Sequence, residues 1–518
     1  MKSISRSSLI AINALSNYIR FGLAIACTFL LTPALVGGLG PNSYGLWTLL
    51  LCGVGYLELL DLGLTTGVMK FVSSTNGSDL EQKNRLVNSL LLAACCLSLL
   101  VCLIGAAVAY LIGNGYPQEP WLPVLILMLT ARVMLGIPLG IFMGALFGEM
   151  HIWLINAIRC FSVVLYSIGA FGILRMGYGI VALTTLYAIV FSAESLGFLI
   201  AAKNCLGWLR FKPRYVDLNI IKQAAGFCLS SFTSNAANVV LARTDPFIVS
   251  AFLSLQAVAL YAVPMRIAEQ LFQLSKQFIN VFSPVLAQLH GCDKYEQVRI
   301  VYMSCTKLSW GMMVAIVTPA MLYSTAGLVF WIGPDFGVAG PILVIMLATA
   351  QLRVLQESAG SALAMTGRHQ MVAKLALAST VSNVLLSIVL VQFWGIYGVA
   401  IATLLSVGVL GSFCSTWLTI QHLRISAAQF VARVILPSLV PLICQVACLS
   451  CLYRWNPSPG LLSLFAFSSI SGLVYLATYA RFSLSRNEQQ ALQRRLIGFR
   501  RTWPSLLVAN LKKNLLPK

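Results

Sequence analysis

What most constrains this chain is the run of long apolar stretches that fills it. About fourteen segments of membrane-spanning length lie near 9–37, 42–72, 86–113, 121–147, 151–174, 178–202, 219–248, 254–288, 299–327, 337–365, 370–394, 396–421, 428–453 and 460–480. A hydrocarbon core about 30 Å thick is crossed by about 20 apolar residues of helix. The segments are continuously apolar rather than alternating, which excludes transmembrane strands. Helices satisfy their own backbone in lipid. The sequence therefore predicts an all-α polytopic membrane protein with about fourteen transmembrane helices. Only 10% of the residues are charged, against about 25% in soluble domains. The apolar run behind MKSISRSSLI lacks a small-x-small cleavage site, so it is read as an uncleaved first helix.

The formal net charge is +20. In a soluble protein that would point to nucleic acid. Here the basic residues lie between and after apolar segments, where they set membrane orientation. One set of loops holds Lys83, Arg85, Lys203, Arg210, Lys212, Arg214, Lys294 and Arg299, and the opposite set holds only Arg175 and Arg454. The asymmetry predicts both termini of this multi-pass membrane protein in the cytoplasm.

A weak internal repeat is present. Gly148 and Gly367 lie 219 positions apart, as do Gly179 and Gly398, while Ser16-Asn17 and Ser234-Asn235 lie 218 apart and Tyr44 and Tyr261 lie 217 apart. Two homologous six-helix lobes related by a parallel repeat follow. The lobes are 1–202 and 219–421, joined by a cytoplasmic linker at 203–218. Two further helices (422–481) and a basic cytoplasmic tail (482–518) complete the expected organisation.

Chemistry-bearing motifs are scarce. Most of the 14 cysteines sit within apolar runs, and the Cys448/Cys451 pair reads as helix packing. His151, His290, His369 and His422 form no ligand cluster in sequence, so no metal is expected. No GxxxxGK[ST] loop is present, which argues against ATP hydrolysis. No cofactor is expected. The predicted loops opposite the basic side are too short to hold an enzyme's chemistry.

Polar residues inside the apolar segments carry more information, because a charge at the bilayer centre costs roughly 2.5–3.5 kcal/mol on insertion scales. Asn13, Ser16, Asn17 and Arg20 form one stripe on the first helix. The seventh carries Ser231, Ser234, Asn235, Asn238, Arg243 and Asp245, and the eighth Arg266, Glu269, Gln270, Gln273, Lys276, Gln277 and Asn280. Arg132, Arg159 and Arg353 add mid-helix cations, and Glu58 and Asp61 lie deep in the second segment. Arg353 has Glu357 one turn on and Arg266 has Glu269, which would partly neutralise them. Each remaining arginine could simply pair with Glu58, Asp61 or Glu194 on a neighbouring helix. As a set they read instead as a wet cationic vestibule. Arg20, Arg266, Arg132, Arg159, Arg243, Arg353, Asn17, Asn235 and Gln273 are then the candidate substrate-binding residues, and Glu58, Asp61 and Glu269 the candidates for ion coupling. Gly136, Gly140, Gly144 and Gly148 in the fourth segment have the small-xxx-small spacing of close helix packing.

The string LTPALVGGLGPNSYGLW at 31–47, followed by LLDLGL at 59–64, resembles the oligosaccharide-lipid flippases of the MOP exporter superfamily, of the O-antigen or Wzx type. The resemblance implies transport, not catalysis: undecaprenyl-diphosphate-linked oligosaccharide moved from the cytoplasmic to the periplasmic leaflet by alternating access, driven by an H+ or Na+ gradient. It also implies membrane lipids and a polysaccharide polymerase as partners. The rival readings are a multidrug exporter of the same superfamily, which would favour an acid-rich cavity, and a membrane polysaccharide polymerase or ligase, which would need a sizeable external loop.

Overall fold

The computed structural model describes residues 6–75, 79–456 and 460–484, and every regular element among them is helical. The longer helices are α1 (Arg6–Leu39), α2 (Pro41–Glu58), α3 (Leu64–Ser74), α4 (Leu80–Gly115), α5 (Trp121–Gly148), α6 (Ile152–Arg175), α7 (Ile180–Cys205), α8 (Leu218–Phe252) and α9 (Leu255–Gly291). They continue with α10 (Tyr295–Leu322), α11 (Ser324–Trp331), α12 (Gly340–Met365), α13 (His369–Thr403), α14 (Ser412–His422), α15 (Ala427–Phe430), α16 (Leu439–Trp455) and α17 (Leu461–Phe482). The basic tail expected at 482–518 falls, beyond residue 484, outside the described residues.

Among the described residues, eleven helical runs are long and apolar enough to cross a membrane. One of them, Gln370–His422, has 53 residues, or about 80 Å of helical rise. It is interrupted at Gly395, whose φ of 55° and ψ of −134° no helix contains. Helices α8 and α9, of 35 and 37 residues, have the length but carry the polar stripes. About fourteen passes fit this inventory.

The residues gather into two compact units. The first runs up to Gln270 and adds Trp331–Met346 and Gln370–Gly411. Its core is built from α3, α4, α5 and α7, around Val68, Leu90, Val101, Ile141, Leu146 and Ala202. The glycine stripe of α5 faces α3. A Cβ on Gly144 would lie 2.6 Å from the Thr65 carbonyl oxygen, and one on Gly148 would lie 2.9 Å from Val72. Small residues thus let two backbones touch where larger ones would hold them apart. The linker is stitched to the start of α4. Asn84 donates to the Trp208 carbonyl at 2.7 Å and accepts from the Arg210 N–H at 2.7 Å. Asn88 donates to the Arg210 carbonyl at 2.9 Å, and Ser89 accepts from the Asp217 N–H at 2.8 Å. Beside this seam the buried Lys83 reaches Glu149 at 2.6 Å.

The second unit comprises Leu271–Phe330, Leu347–His369 and the described residues from Ser412 onward. Tyr302, Leu355, Phe430 and Val434 form part of its core. Gly311 leaves room for the Tyr479 ring, whose hydroxyl donates to the Lys307 carbonyl at 2.9 Å.

Candidate functional site

The second apolar segment, expected as one helix over 42–72, is broken. α2 ends at Glu58, a 3-10 turn covers Leu59–Asp61, and α3 starts at Leu64. Leu62 (φ 49°) and Gly63 (φ 77°) take left-handed backbone, which glycine adopts at no steric cost. The Asp61 carboxylate accepts from the Thr65 N–H and hydroxyl, each at 3.2 Å, satisfying a donor that a helix start leaves open. LLDLGL is therefore a helix stop, turn and start. Irregular backbone at membrane depth is tolerated only where protein or water satisfies it.

Glu58, the last residue before this break, pairs with Arg132 of α5. Arg132 is the more enclosed partner, its side chain 13% exposed against 49% for Glu58. The rings of Tyr187 and Phe191 on α7 lie 5.9 and 5.8 Å from its guanidinium. Arg159 on α6 reaches the Met143 sulfur at 3.0 Å and the Phe198 ring at 6.0 Å, and sits in the fields of Glu194, Arg20 and Glu58. Arg20 on α1 makes no hydrogen bond or ion pair among the described residues, and its Nε is shut away from solvent without a partner. The stripe before it is committed to α6: Asn13 donates to the Met150 carbonyl at 2.8 Å, and Asn156 donates to Ser16 at 2.8 Å and to Asn17 at 2.9 Å. Those amides hold two helices together and bring Arg20 beside α6.

Helices α8 and α9 contribute from within the same unit. Arg243 lies across α2, where a Cβ on Gly55 would come within 3.2 Å of its Nε. Cys52 lies in the fields of Arg243 and Arg266, Tyr166 in that of Arg266, and Tyr187 in those of Arg132, Arg243, Glu58 and Glu194. Arg132 and Arg159 thus share Glu58 and Glu194, Arg132 and Arg243 share Tyr187, Arg243 and Arg266 share Cys52, and Arg20 lies in the field of Arg159. Glu269 is half-buried on α9 and Asn235 is exposed on α8. In the second unit, Gln273 is half-buried and Arg353 stacks on the Phe272 ring at 3.9 Å. Glu357, expected beside Arg353, reaches Lys276 at 3.1 Å. The side chain's length, not helix spacing alone, chose its partner.

The chain matches the family described as "Polysaccharide biosynthesis protein" over residues 38–338, more than half its length. It belongs to that family. The match includes Glu58, Asp61, Arg132, Arg159, Arg243, Arg266, Glu269 and Gln273, and excludes Arg20 and Arg353. A Shigella flexneri protein described as an O-antigen transporter is 22% identical over 416 residues, covering 77% of this chain and 95% of its own. Among solved structures, the lipid II flippase MurJ in an inward closed conformation is similar with a TM-score of 0.72 at 15% identity, covering 91% of this chain and 98% of its own. An inward-facing multidrug resistance MATE family transporter of the MOP superfamily gives 0.63 at 16% identity, covering 79% and 98%. The fold of this family member is thus the one these transporters share.

Two acids gain a definite setting only in three dimensions. Glu194 lines a cavity of about 370 Å³ between α6 and α7, with Ser162 on the opposite wall. Asp245, 2% exposed, accepts from Tyr261 at 2.6 Å, Thr403 at 2.9 Å and Ser387 at 3.4 Å. No cation pairs with it among the described residues, and three hydroxyls carry its solvation. Asn383, which donates to Thr403 at 3.1 Å, keeps a buried Oδ1 without a partner. Asp245 was visible in sequence as an intramembrane acid, but the hydroxyls come from positions up to 158 residues away.

Proposed function

We propose that this protein translocates diphosphate-linked oligosaccharide lipid from the cytoplasmic to the periplasmic leaflet of the bacterial inner membrane. It is a transporter, not an enzyme. The observation that carries the reading is the gathering of guanidinium in the first unit: Arg20, Arg132, Arg159, Arg243 and Arg266, about which the described acids are Glu58, Glu194 and Asp245, with Glu269 one turn from Arg266. Arg keeps its charge at any relevant pH and offers a fork that suits phosphate oxygens. A cationic drug would meet repulsion at the same place, which disfavours multidrug export. Undecaprenyl is the carrier lipid proposed from the sequence resemblance, and a polymerase would receive the product.

The proposed cycle is alternating access between the lobes 1–202 and 219–421. An H+ or Na+ gradient drives it, with Glu58, Asp61 and Glu269 as the coupling acids. Protonating Glu58 would release Arg132 for an anionic ligand. Asp245, held by hydroxyls alone, is a further acid at which a cation could be taken up. Asn17, Asn235, Gln273 and Arg353 would serve the head group, whose hydroxyls need amide and cationic partners.

The test is transport of a fluorescent polyprenyl-diphosphate-linked sugar in proteoliposomes, with complementation of a flippase-null strain alongside. Movement of the probe between leaflets, and restored surface polysaccharide, are expected. Export of cationic dyes without movement of the lipid would overturn the reading.

A further inference from the structure

A groove of about 410 Å³ runs between α2, α4 and α5, closed at one point by Phe247 of α8. Its walls are apolar throughout, including Leu49, Leu57, Ile104, Ile126 and Leu129. It follows α2 from Leu46 to Leu57, a rise of about 16 Å, roughly half the thickness of the hydrocarbon core. Gly53 forms part of its floor, and a Cβ added there would meet no atom within 4 Å. The recess is open space and not a packing contact.

The groove also has a direction. On α2, Leu50, Val54 and Glu58 fall at i, i+4 and i+8, on one stripe. On α5, Leu122, Ile126, Leu129 and Arg132 follow at i, i+4, i+7 and i+10. Two walls of the groove therefore lead into the Glu58–Arg132 pair. The groove stops at Leu57, beside Glu58, and at Leu129, one turn short of Arg132, and an apolar channel with a guanidinium at that distance matches an amphiphile with a long hydrocarbon chain and an anionic head.

We propose that this groove seats the isoprenoid chain of the transported lipid while Arg132 and its neighbours hold the diphosphate. The proposal rests on the function proposed above and assigns the tail a fixed place. Leaving bulk lipid for a groove of leucine side chains gains no hydrophobic free energy, since lipid tails are as apolar as Leu. The tail is held instead by van der Waals packing against the groove walls and by release of ordered lipid, the terms that drive association within a bilayer. A chain held in the groove keeps its own head group near Arg132, so that head binding becomes intramolecular and its effective concentration rises.

The experiment fills the groove. Gly53→Phe adds a side chain where none is met and also removes a helix-destabilising glycine, so the fold should persist; Gly53→Ala is the control. Two probes with one head group, an undecaprenyl and a geranyl diphosphate sugar, are bound to purified protein in phosphatidylethanolamine–phosphatidylglycerol nanodiscs. The long-chain probe also carries a photoreactive group in its tail. Expected for the wild type is crosslinking to α2, α4 or α5 and affinity for the long chain at least tenfold above the short, the scale that tethering supplies. Gly53→Phe should abolish the crosslink and bring the long chain down to the short-chain affinity, which itself stays unchanged; Gly53→Ala should change neither. Equal affinity of the two variants for the long chain, or equal loss for both probes, would overturn the tail site and leave the head-group function standing. Crosslinking that photoreactive phosphatidylglycerol displaces equally well would make the groove a general lipid contact and overturn it too. Failure of both probes to bind the wild type would instead remove the diphosphate reading on which the proposal rests.

Discussion

Glu58 and Arg132 pair across α2 and α5 at the residue where α2 stops being helical. Neither could be matched to the other by local spacing, since 74 positions separate them. The pair ties a backbone discontinuity to the cationic site, so a change of charge at Glu58 bears on both.

Glu58→Gln should fold, because half of the Glu58 side chain is already exposed and little desolvation energy is at stake. Protonation of Glu58 and its replacement by Gln both remove the negative charge beside Arg132, so both should favour an anionic ligand. Transport by Glu58→Gln should therefore lose its dependence on an imposed pH gradient. Asp61→Asn, whose amide oxygen can still accept from Thr65, should lose that dependence as well. Liposome transport at matched and unmatched pH measures this, and unchanged gradient dependence in Glu58→Gln would make the acid structural.

Arg20→Ala and Arg266→Ala should each lower surface polysaccharide in a complemented null strain by at least tenfold while protein level stays normal. A loss of tenfold corresponds to about 1.4 kcal/mol, within what a charge-assisted hydrogen bond contributes. Lys should restore part of the signal at a site needing only charge and little at one needing a two-pronged grip. Loss of the protein itself would point to helix packing as the role.

Gly144→Ala should reduce the amount of folded protein, because the new Cβ would meet the Thr65 carbonyl at 2.6 Å and neither backbone can give way. Gly136→Ala should be neutral, its Cβ lying 3.9 Å from Ser195 Oγ. Fluorescence-detected size exclusion of tagged variants compares the two.

Lys83→Met should lower the melting temperature, and so should Glu149→Gln. Lys83 is 5% exposed and its ammonium reaches Glu149 at 2.6 Å. Removing one partner of such a pair typically costs about 3–5 kcal/mol, since the other charge remains buried. The double variant Lys83→Met/Glu149→Gln should recover part of the loss in a detergent thermal-shift assay.

The basic loops predict the topology. A cysteine introduced at Gln118 should react with an impermeant thiol reagent in intact spheroplasts, and one at Lys212 only after permeabilisation. The opposite pattern would invert the protein in the membrane and with it the proposed direction of transport.

Sequence by itself determined that this chain is helical and spans a membrane many times, because uninterrupted apolar runs leave lipid as their only solvent. It also marked the residues that must find company in that solvent, since an arginine or carboxylate there carries a cost wherever the chain folds. That α5 packs closely on a neighbour was legible as well, for glycines four apart form a flat stripe on any helix; that the neighbour is α3 came only from the structure. What it could not decide was which groups meet. The Glu58–Arg132 pair, the hydroxyls around Asp245 and the stitching of the 203–218 linker to Asn84, Asn88 and Ser89 all join positions far apart in the chain. The break at Glu58–Gly63 was hidden for a related reason. Its residues read as one more stretch of membrane helix, and only the placement of Asp61 on Thr65 shows a helix stopping and starting again. Periodicity and hydropathy report how a segment meets its solvent; the partner of a buried charge is set by where tertiary packing carries the other helices.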